Sequence, residues 1–83
     1  MFHLAAQAGV RTSWAEGFED YVSLNVLATQ RLLEACRGRD IDRLVYASSS
    51  SIYGQAARYP TDEGDVPAPH SPYGVTKLAG ERL

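Results

Sequence analysis

Residues 44–47, Leu-Val-Tyr-Ala, form a short apolar run that stops at four consecutive serines. The run contains β-branched and aromatic residues without polar alternation, which is typical of a parallel strand buried on both faces. The apolar residues at positions 1–6 indicate the end of a second strand, and a helix from about Glu19 to Arg37 lies between the two. Parallel strands require a crossover of this kind, so the chain is predicted to be α/β.

The predicted helix has an apolar face, because apolar residues recur along it at intervals of three and four. Gly38 has the position of a C′ residue that ends the helix. Ser13 and Glu16 have capping-box spacing, which predicts an earlier helix that begins near Trp14. The predicted buried face consists of Val22, Val26, Thr29, Leu33 and Cys36.

A second helix is predicted at the end of the chain, where Ser71 suits an N-cap and Pro72 suits the first turn. Residues 48–70 contain glycines, prolines and acidic residues, and predict a long loop. The order of elements is βαβα, the pattern of an open parallel sheet. Two strands do not make a stable sheet, and both ends cut through regular elements. We therefore expect residues 1–83 to be the central part of a larger domain, truncated at both ends.

Composition argues against several classes of function. The 83 residues have a formal net charge of −2, so neither nucleic acid nor an anionic membrane surface is an expected partner. No apolar run approaches the roughly 20 residues of a membrane span. The single cysteine, Cys36, excludes an internal disulfide and favours a reducing, cytoplasmic location. No Cys/His cluster has the spacing of metal ligands.

Tyr73 and Lys77 carry the strongest chemical signal. Four residues apart, they lie on one face of the predicted helix, one turn from each other. Free tyrosine is a poor base at neutral pH, and a neighbouring ammonium favours the phenolate. The pair therefore suits proton transfer from an alcohol or sugar hydroxyl. Many helices contain such a pair by chance, so it does not establish a site alone.

The serine cluster at residues 48–51 supplies context for that pair. Ligands of open α/β sheets bind beyond the carboxyl ends of the strands, where serine hydroxyls can bind a substrate oxygen. The alternative is a solvated turn, which is the better interpretation of four serines in isolation. The Tyr-x-x-x-Lys pair that follows reverses this preference.

Four further polar residues each have two interpretations. Asn25 is a mediocre helix former in mid-helix, and is either a surface residue or a buried amide that needs partners. His3, beside an apolar strand, is structural or catalytic, and the structural role is favoured. Arg11 and Ser13 follow a loop of small residues and either meet a phosphate or sugar or face solvent.

Together these segments resemble the extended short-chain dehydrogenase/reductase family, in its NAD-dependent epimerase/dehydratase branch. Residues 3–6, His-Leu-Ala-Ala, resemble the family's segment along the dinucleotide. Residues 25–29 resemble its Asn-Val-x-Gly-Thr helix motif, with Ala28 where glycine is common. Residues 44–54 resemble its fifth strand and active-site turn, and residues 71–77 its catalytic helix. The resemblance implies a partial Rossmann-type, doubly wound parallel sheet.

The resemblance also implies catalytic roles. Ser49 would bind the reacting oxygen, and Ser50 would contribute to substrate binding. Tyr73 would act as general base and acid on the substrate. Lys77 would hold the nicotinamide ribose and favour the phenolate. The implied substrate is a nucleotide-diphosphate sugar.

Cofactor binding is implied for a second set of residues. Ala5 and Ala6 would line NAD, Asn25 would support the cofactor or the structure around it, and Tyr73 and Lys77 would contact it. The chain lacks the Gly-x-x-Gly-x-x-Gly phosphate loop and the acidic residue that holds the adenosine ribose, so NAD and NADP cannot be told apart from its residues. We expect residues 1–83 alone neither to bind NAD tightly nor to turn over. The family resemblance further implies a homodimer.

The serines at positions 50 and 51 favour one type of reaction among those that the family catalyses. Family dehydratases carry an Asp-Glu pair where this chain has Ser50 and Ser51, and related decarboxylases carry glutamate at the second position. The resemblance therefore implies a 4-epimerase, in which hydride leaves C4 of the sugar for NAD and returns to the opposite face of a 4-keto intermediate. The alternatives are a nucleotide-sugar reductase or dehydrogenase with the same Ser-Tyr-Lys set, or a non-catalytic truncated gene product.

Overall fold

The computed structural model describes residues 1–55 and 59–83. Strand β1 spans Phe2–His3 and strand β2 spans Val45–Tyr46. They pair in parallel, with Phe2 opposite Val45 and His3 opposite Tyr46. The predicted parallel α/β arrangement is confirmed, although both strands are shorter than expected.

The two faces of this sheet differ in burial. His3 is buried, but Phe2 and Val45 on the other face are 75% and 43% exposed. The prediction of a strand buried on both faces is therefore wrong for this chain. The physical reason is that no helix from the described residues covers the face of Phe2 and Val45.

One continuous helical run connects the strands. It consists of α1 (Phe18–Tyr21), a six-residue π-helical segment (Val22–Leu27) and α2 (Ala28–Cys36). The predicted helix is confirmed, with each end one residue earlier than expected. Gly38, with φ of 73°, follows it in the left-handed conformation expected of a C′ residue. π-helical turns inside helices often lie at functional sites, and this one contains Asn25.

The face that this run buries is not the predicted apolar stripe. Tyr21, Asn25 and Thr29 are 2%, 1% and 3% exposed, whereas Val22 is 39% exposed. The stripe prediction was right only for Thr29 as a fully buried residue. The prediction failed for the other positions because the buried face of the helix is largely polar, and its polar groups form hydrogen bonds. A search for regularly spaced apolar residues therefore does not find this face.

Two short 3₁₀ turns, Arg11–Ser13 and Ala15–Gly17, precede α1. The predicted capping box is wrong, because the Ser13 side chain does not cap this region. Ser13 is fully buried, its hydroxyl donates to the carbonyl of Val10, and the same oxygen accepts the backbone N–H of Tyr73.

Helix α3 spans Pro72–Arg82, and its predicted cap is confirmed. The Ser71 hydroxyl oxygen accepts the backbone N–H of Gly74 at 3.0 Å. Where the structure describes it, the region predicted as a loop contains one further element, a 3₁₀ turn at Ser50–Tyr53. Helix α3 packs against this turn and against the helical run at α1 and the π-helical segment.

The described core is small. The accessible surface is 6032 Å², whereas a folded monomer of 9.1 kDa exposes about 4,900 Å². In residues 1–55 and 59–83 the buried hydrophobic side chains are those of Tyr21 and Ile52. None of the helices in this part of the chain is long and apolar enough to cross a bilayer.

Candidate active site

The carboxyl ends of β1 and β2 lie at one edge of the sheet because the strands are parallel. Ala5 and Ala6 follow β1 and are exposed, and the serine cluster follows β2. The Ala47 N–H donates to the His3 carbonyl at 3.1 Å and extends the pairing toward this edge. The structure therefore brings the predicted cofactor-lining segment and the predicted substrate-binding turn to the same edge.

Tyr73 is half-buried and is anchored through its backbone and its ring. Its N–H donates to Ser13 Oγ at 3.1 Å, and its carbonyl accepts the Thr76 hydroxyl at 2.8 Å. Its ring meets Tyr21 edge to face, with 6.1 Å between the centroids. The phenol hydroxyl forms no hydrogen bond within the described chain. Backbone and ring are thus held, while the phenol oxygen stays free of hydrogen bonds to described residues.

Lys77 lies one helical turn beyond Tyr73 and is 4% exposed. Its Nζ atom is 4.6 Å from the centre of the Tyr46 ring. The ammonium forms no hydrogen bond or ion pair with a described residue, Tyr73 included. Burial lowers the pKa of Lys77 below its ordinary value of 10.5. A largely buried lysine whose ammonium has three N–H donors unused by described residues is a strong candidate for ligand binding.

The serine turn contacts α3 beside Tyr73. Ser49 is the N-cap of the Ser50–Tyr53 turn, and its hydroxyl oxygen accepts the Ser51 N–H at 3.1 Å. Ser49 is half-buried and Ser50 is exposed. A Cβ at Gly74 would lie 2.5 Å from the Ser51 carbonyl oxygen, so only glycine allows this backbone contact. The close approach places the serine turn against the residue that follows Tyr73.

Asn25 is buried and joins three parts of the chain. Its Oδ1 accepts the Gln7 N–H at 2.7 Å, and its Nδ2 donates to the Gln7 carbonyl and to Thr76 Oγ1, each at 3.1 Å. The surface interpretation of Asn25 is therefore wrong. The side-chain amide fixes the backbone just after Ala6 and ties it to α3, which is consistent with a supporting role.

His3 belongs to the same polar network. Thr29 Oγ1 donates its single proton to the Asn25 carbonyl at 2.9 Å, so the His3 Nε2–H must donate to Thr29 Oγ1, also at 2.9 Å. The His3 ring lies 5.7 Å from the ring of Tyr46. These contacts agree with the structural interpretation of His3. Arg11 is exposed, whereas Ser13 is fully buried and does not face solvent.

Several residues support the site in a way that the sequence did not predict. Tyr21, Ser13, Thr76 and Tyr46 all support Tyr73, Asn25 or Lys77. The signal for Tyr21 was present, because it lies four residues before Asn25 on the same helical face. The hydroxyl of Thr76 also bonds the nearby Tyr73 carbonyl. Its contact with Asn25, and the contacts of Ser13 with Tyr73 and of Tyr46 with Lys77, join residues too far apart in sequence for any local pattern.

The residues at this edge fit the NAD cofactor implied by the sequence. Among the described residues, Ser48 Oγ is buried without a hydrogen-bond partner. This hydroxyl and the Lys77 ammonium are free donors that suit ribose hydroxyls. The exposed Ala5 and Ala6 carry small side chains that let a ligand approach the backbone. No group of three or more His, Cys, Asp or Glu residues able to hold a metal occurs in the described part of the chain.

Comparison with known proteins places these features in a family context. The model of the "NAD dependent epimerase/dehydratase family" matches residues 1–83. An uncharacterized UDP-glucose epimerase of Bacillus subtilis is 52% identical over 83 residues, which are 100% of this chain and 26% of that protein. The chain thus spans about a quarter of the length of this curated relative.

Solved structures superpose closely on the chain. The UDP-glucuronic acid 4-epimerase of Bacillus cereus, in complex with UDP-glucuronic acid and NAD, has a TM-score of 0.92 at 50% identity, and the match covers 96% of this chain and 25% of that one. MoeE5, in complex with UDP-glucose and NAD, has a TM-score of 0.90 at 59% identity, with coverage of 98% and 26%. These superpositions confirm the predicted fold class.

Proposed function

This chain belongs to the NAD-dependent epimerase/dehydratase family, and from that premise we propose that it is part of a nucleotide-sugar 4-epimerase that works with NAD. The two similar structures contain NAD together with a UDP-sugar, which supports a substrate of the same class. Because the chain spans about a quarter of these proteins, the activity is proposed for the full-length protein that contains residues 1–83.

One observation carries the proposal. Lys77 as a residue is 4% exposed, and its ammonium has no hydrogen-bond partner among the described residues, one turn from the anchored Tyr73. Burial of an unpaired charge is unfavourable, and such groups cluster at functional sites. A ligand that accepts hydrogen bonds from Lys77 would remove the penalty.

The proposed chemistry uses three side chains. Tyr73 takes the proton of the sugar C4 hydroxyl and gives it back to the same oxygen once the carbon has been inverted. The Ser49 hydroxyl holds that oxygen, and Ser50 contributes to sugar binding from the exposed start of the turn. Lys77 favours the phenolate of Tyr73 through its charge. Proton transfer from a positioned side chain contributes about 10²–10⁴-fold to rate.

NAD, when bound, supplies a reversible acceptor for the hydride of C4. Lys77, Ala5 and Ala6 would hold it, with Tyr73 beside it. Asn25 would support it indirectly, because its amide holds the Gln7 backbone just beyond the alanines. These residues account for the nicotinamide end only, since the chain contains no glycine-rich phosphate loop.

Epimerisation is favoured over dehydration by the residues at positions 50 and 51. Elimination of water from the sugar needs an additional acid and base, and the chain has serines at both positions. A reductase or dehydrogenase of the same family would use the same Ser49, Tyr73 and Lys77. It would consume a nicotinamide cofactor in each turnover, whereas an epimerase regenerates it.

The test is made on the purified full-length protein. It is incubated with UDP-glucose or UDP-glucuronic acid without added cofactor, and the sugar is followed by proton NMR. We expect the C4 epimer to accumulate to an equilibrium mixture, with NAD released only when the protein is denatured. Net formation of NADH would favour a dehydrogenase. Absence of any conversion, with NAD bound, would overturn the proposed epimerase.

Assembly and location follow from the same proposal. We propose a homodimer in the cytoplasm, without nucleic-acid or membrane partners. Analytical ultracentrifugation of the full-length protein tests the dimer, and cell fractionation tests the location. A monomer in solution would contradict the proposed dimer. Recovery with the membrane fraction would contradict the proposed location.

A further inference from the structure

Tyr46 forms the surface beneath the Lys77 ammonium. Nζ of Lys77 lies 4.6 Å from the centre of the Tyr46 ring, within the roughly 6 Å at which the face of an aromatic ring attracts a cation. Lys77 has no hydrogen bond or ion pair with another described residue. The ring face is therefore the group that determines where the unligated ammonium lies.

The Tyr46 ring is itself held in place from two sides. In the sheet, Tyr46 pairs with His3, and their ring centroids are 5.7 Å apart. At the hydroxyl end of the ring is Gly80 of α3, where an added Cβ would lie 2.2 Å from Tyr46 Oη and 2.6 Å from Cζ. Gly80 thus leaves the space that the ring occupies, one turn beyond Lys77.

The Tyr46 hydroxyl does not explain why a tyrosine lies here. Oη is buried and has no hydrogen-bond partner in the described chain. Burial raises the pKa of Tyr46 above 10.0, as do the negative charge of Glu81 and the phenol of Tyr73. Tyr46 consequently stays neutral and presents its ring face, not a phenolate, to Lys77.

We propose that Tyr46 is a positioning residue for Lys77, and that its ring face holds the ammonium where it serves Tyr73 and the cofactor. The inference rests on the proposed function for what Lys77 does. The contact itself does not depend on that function. Gly80 has a secondary role, because it keeps the ring in its seat between β1 and α3.

The sharpest test varies the ring face without changing its size. In the full-length protein, Tyr46→Phe is the reference, and phenylalanines with one, two or three ring fluorines are then incorporated at position 46. Fluorine weakens the negative face of the ring step by step, and so weakens cation binding. The pKa of Lys77 is measured by NMR with labelled lysine, and kcat and KM are measured with the UDP-sugar.

We expect Tyr46→Phe to keep kcat within about twofold of wild type, because the ring face remains. Each added fluorine should lower the pKa of Lys77 and reduce kcat. With three fluorines, kcat should be about tenfold lower than in Tyr46→Phe, with a smaller change in KM. A Lys77 pKa and a kcat that do not respond to fluorine would overturn the proposal. An equal loss in Tyr46→Phe would assign the effect to the hydroxyl and would overturn it too.

A second measurement addresses Gly80 and separates positioning from folding. Gly80→Ala should lower kcat at least tenfold in wild type by displacing the ring, yet add no loss to Tyr46→Leu, where the space is free. If the losses in kcat from Gly80→Ala and Tyr46→Leu multiplied in the double variant, Gly80 would not act by leaving space for the Tyr46 ring. Thermal unfolding is measured for every variant, and Val45→Ala, an exposed neighbour on β2, is the control.

The outcomes for the two proposals are distinguishable. If the Lys77 pKa follows the fluorine series but the protein does not epimerise sugars, the Tyr46 contact stands and the proposed function fails. If the protein epimerises sugars but neither pKa nor kcat follows the series, the function stands and the role of Tyr46 fails.

Discussion

The backbone N–H of Tyr73 donates a hydrogen bond to the hydroxyl of Ser13, 3.1 Å away and 60 residues earlier in the chain. The first N–H groups of a helix have no partner inside that helix. In α3 the hydroxyl of the N-cap Ser71 accepts the backbone N–H of Gly74. The backbone N–H of Tyr73 is accepted instead by Ser13, which lies in a turn far away in sequence. The start of the proposed catalytic helix is therefore held by two serines from different parts of the fold.

Ser13→Ala tests this remote cap in the full-length protein. The N–H of Tyr73 would lose its acceptor at a buried site, so we expect the free energy of unfolding to fall by about 1–2 kcal/mol. We also expect kcat to fall more than KM changes, because Tyr73 loses an anchor. Urea unfolding and steady-state kinetics measure both. Ser23→Ala, at an exposed position, is the control, and an equal effect there would refute the remote cap.

Tyr73→Phe removes the proposed acid and base while keeping the ring. We expect kcat to fall at least about a hundredfold, the lower end for the loss of proton transfer. Stability should change by less than about 0.5 kcal/mol, because the edge-to-face contact with Tyr21 and the backbone bonds remain. Initial rates and thermal unfolding provide the two measurements. Near-normal turnover in this variant would remove Tyr73 from the mechanism.

Asn25→Ala should be among the more destabilising single changes in this region. Three hydrogen bonds are lost, and the Gln7 N–H and carbonyl are left without their side-chain partner. We expect a loss of about 3 kcal/mol in the free energy of unfolding. Gln30→Ala, whose amide bonds Glu34 at the surface, is the matched control and should change stability little. Equal unfolding midpoints for the two variants would show that the hydrogen bonds of Asn25 do not stabilise the fold.

The lowered pKa of Lys77 predicts that the stability of the folded protein depends on pH. Its pKa is lowered by burial in the folded state, so below that pKa the full penalty for the buried charge is present. Between the lowered pKa and 10.5 the unfolded chain holds a proton that the folded chain has lost, so this contribution to stability rises with pH.

Lys77→Met should therefore be more stable than wild type near neutral pH, and the difference should narrow as pH rises toward 10.5. Urea unfolding of the cofactor-free full-length protein from about pH 7 to about pH 10 measures this difference. Arg31→Met, at an exposed position that stays charged throughout, is the control. A constant difference between Lys77→Met and wild type would show that the ammonium is not desolvated.

Residues 1–83 produced alone should lack epimerase activity and fixed tertiary packing. The two strands have two residues each, and Phe2 is 75% exposed on the uncovered face. Such a sheet is too small for independent stability. Near-ultraviolet circular dichroism and the sugar NMR assay test this prediction. Sharp cooperative unfolding together with turnover would show that the segment is sufficient by itself.

Local patterns predicted the parts of the molecule that depend on neighbours in sequence. The helical run ends where Gly38 predicts, and α3 begins where Ser71 and Pro72 predict, because caps act within one turn. The candidates Ser49, Tyr73 and Lys77 came from spacing and resemblance, and the fold brings their elements to one edge. Their catalytic roles remain predictions for the experiments above.

The sequence by itself determined the order of elements and the residue types of the proposed site, because both are encoded at intervals of one to four residues. Only the tertiary structure decided that Asn25 is buried, that Ser13 binds Tyr73 and that Tyr46 lies under Lys77. These contacts join residues 18 to 60 positions apart, or a strand to a helix. Their existence depends on which surfaces pack together, and hydrogen-bonded polar faces leave no apolar period for a sequence pattern to reveal.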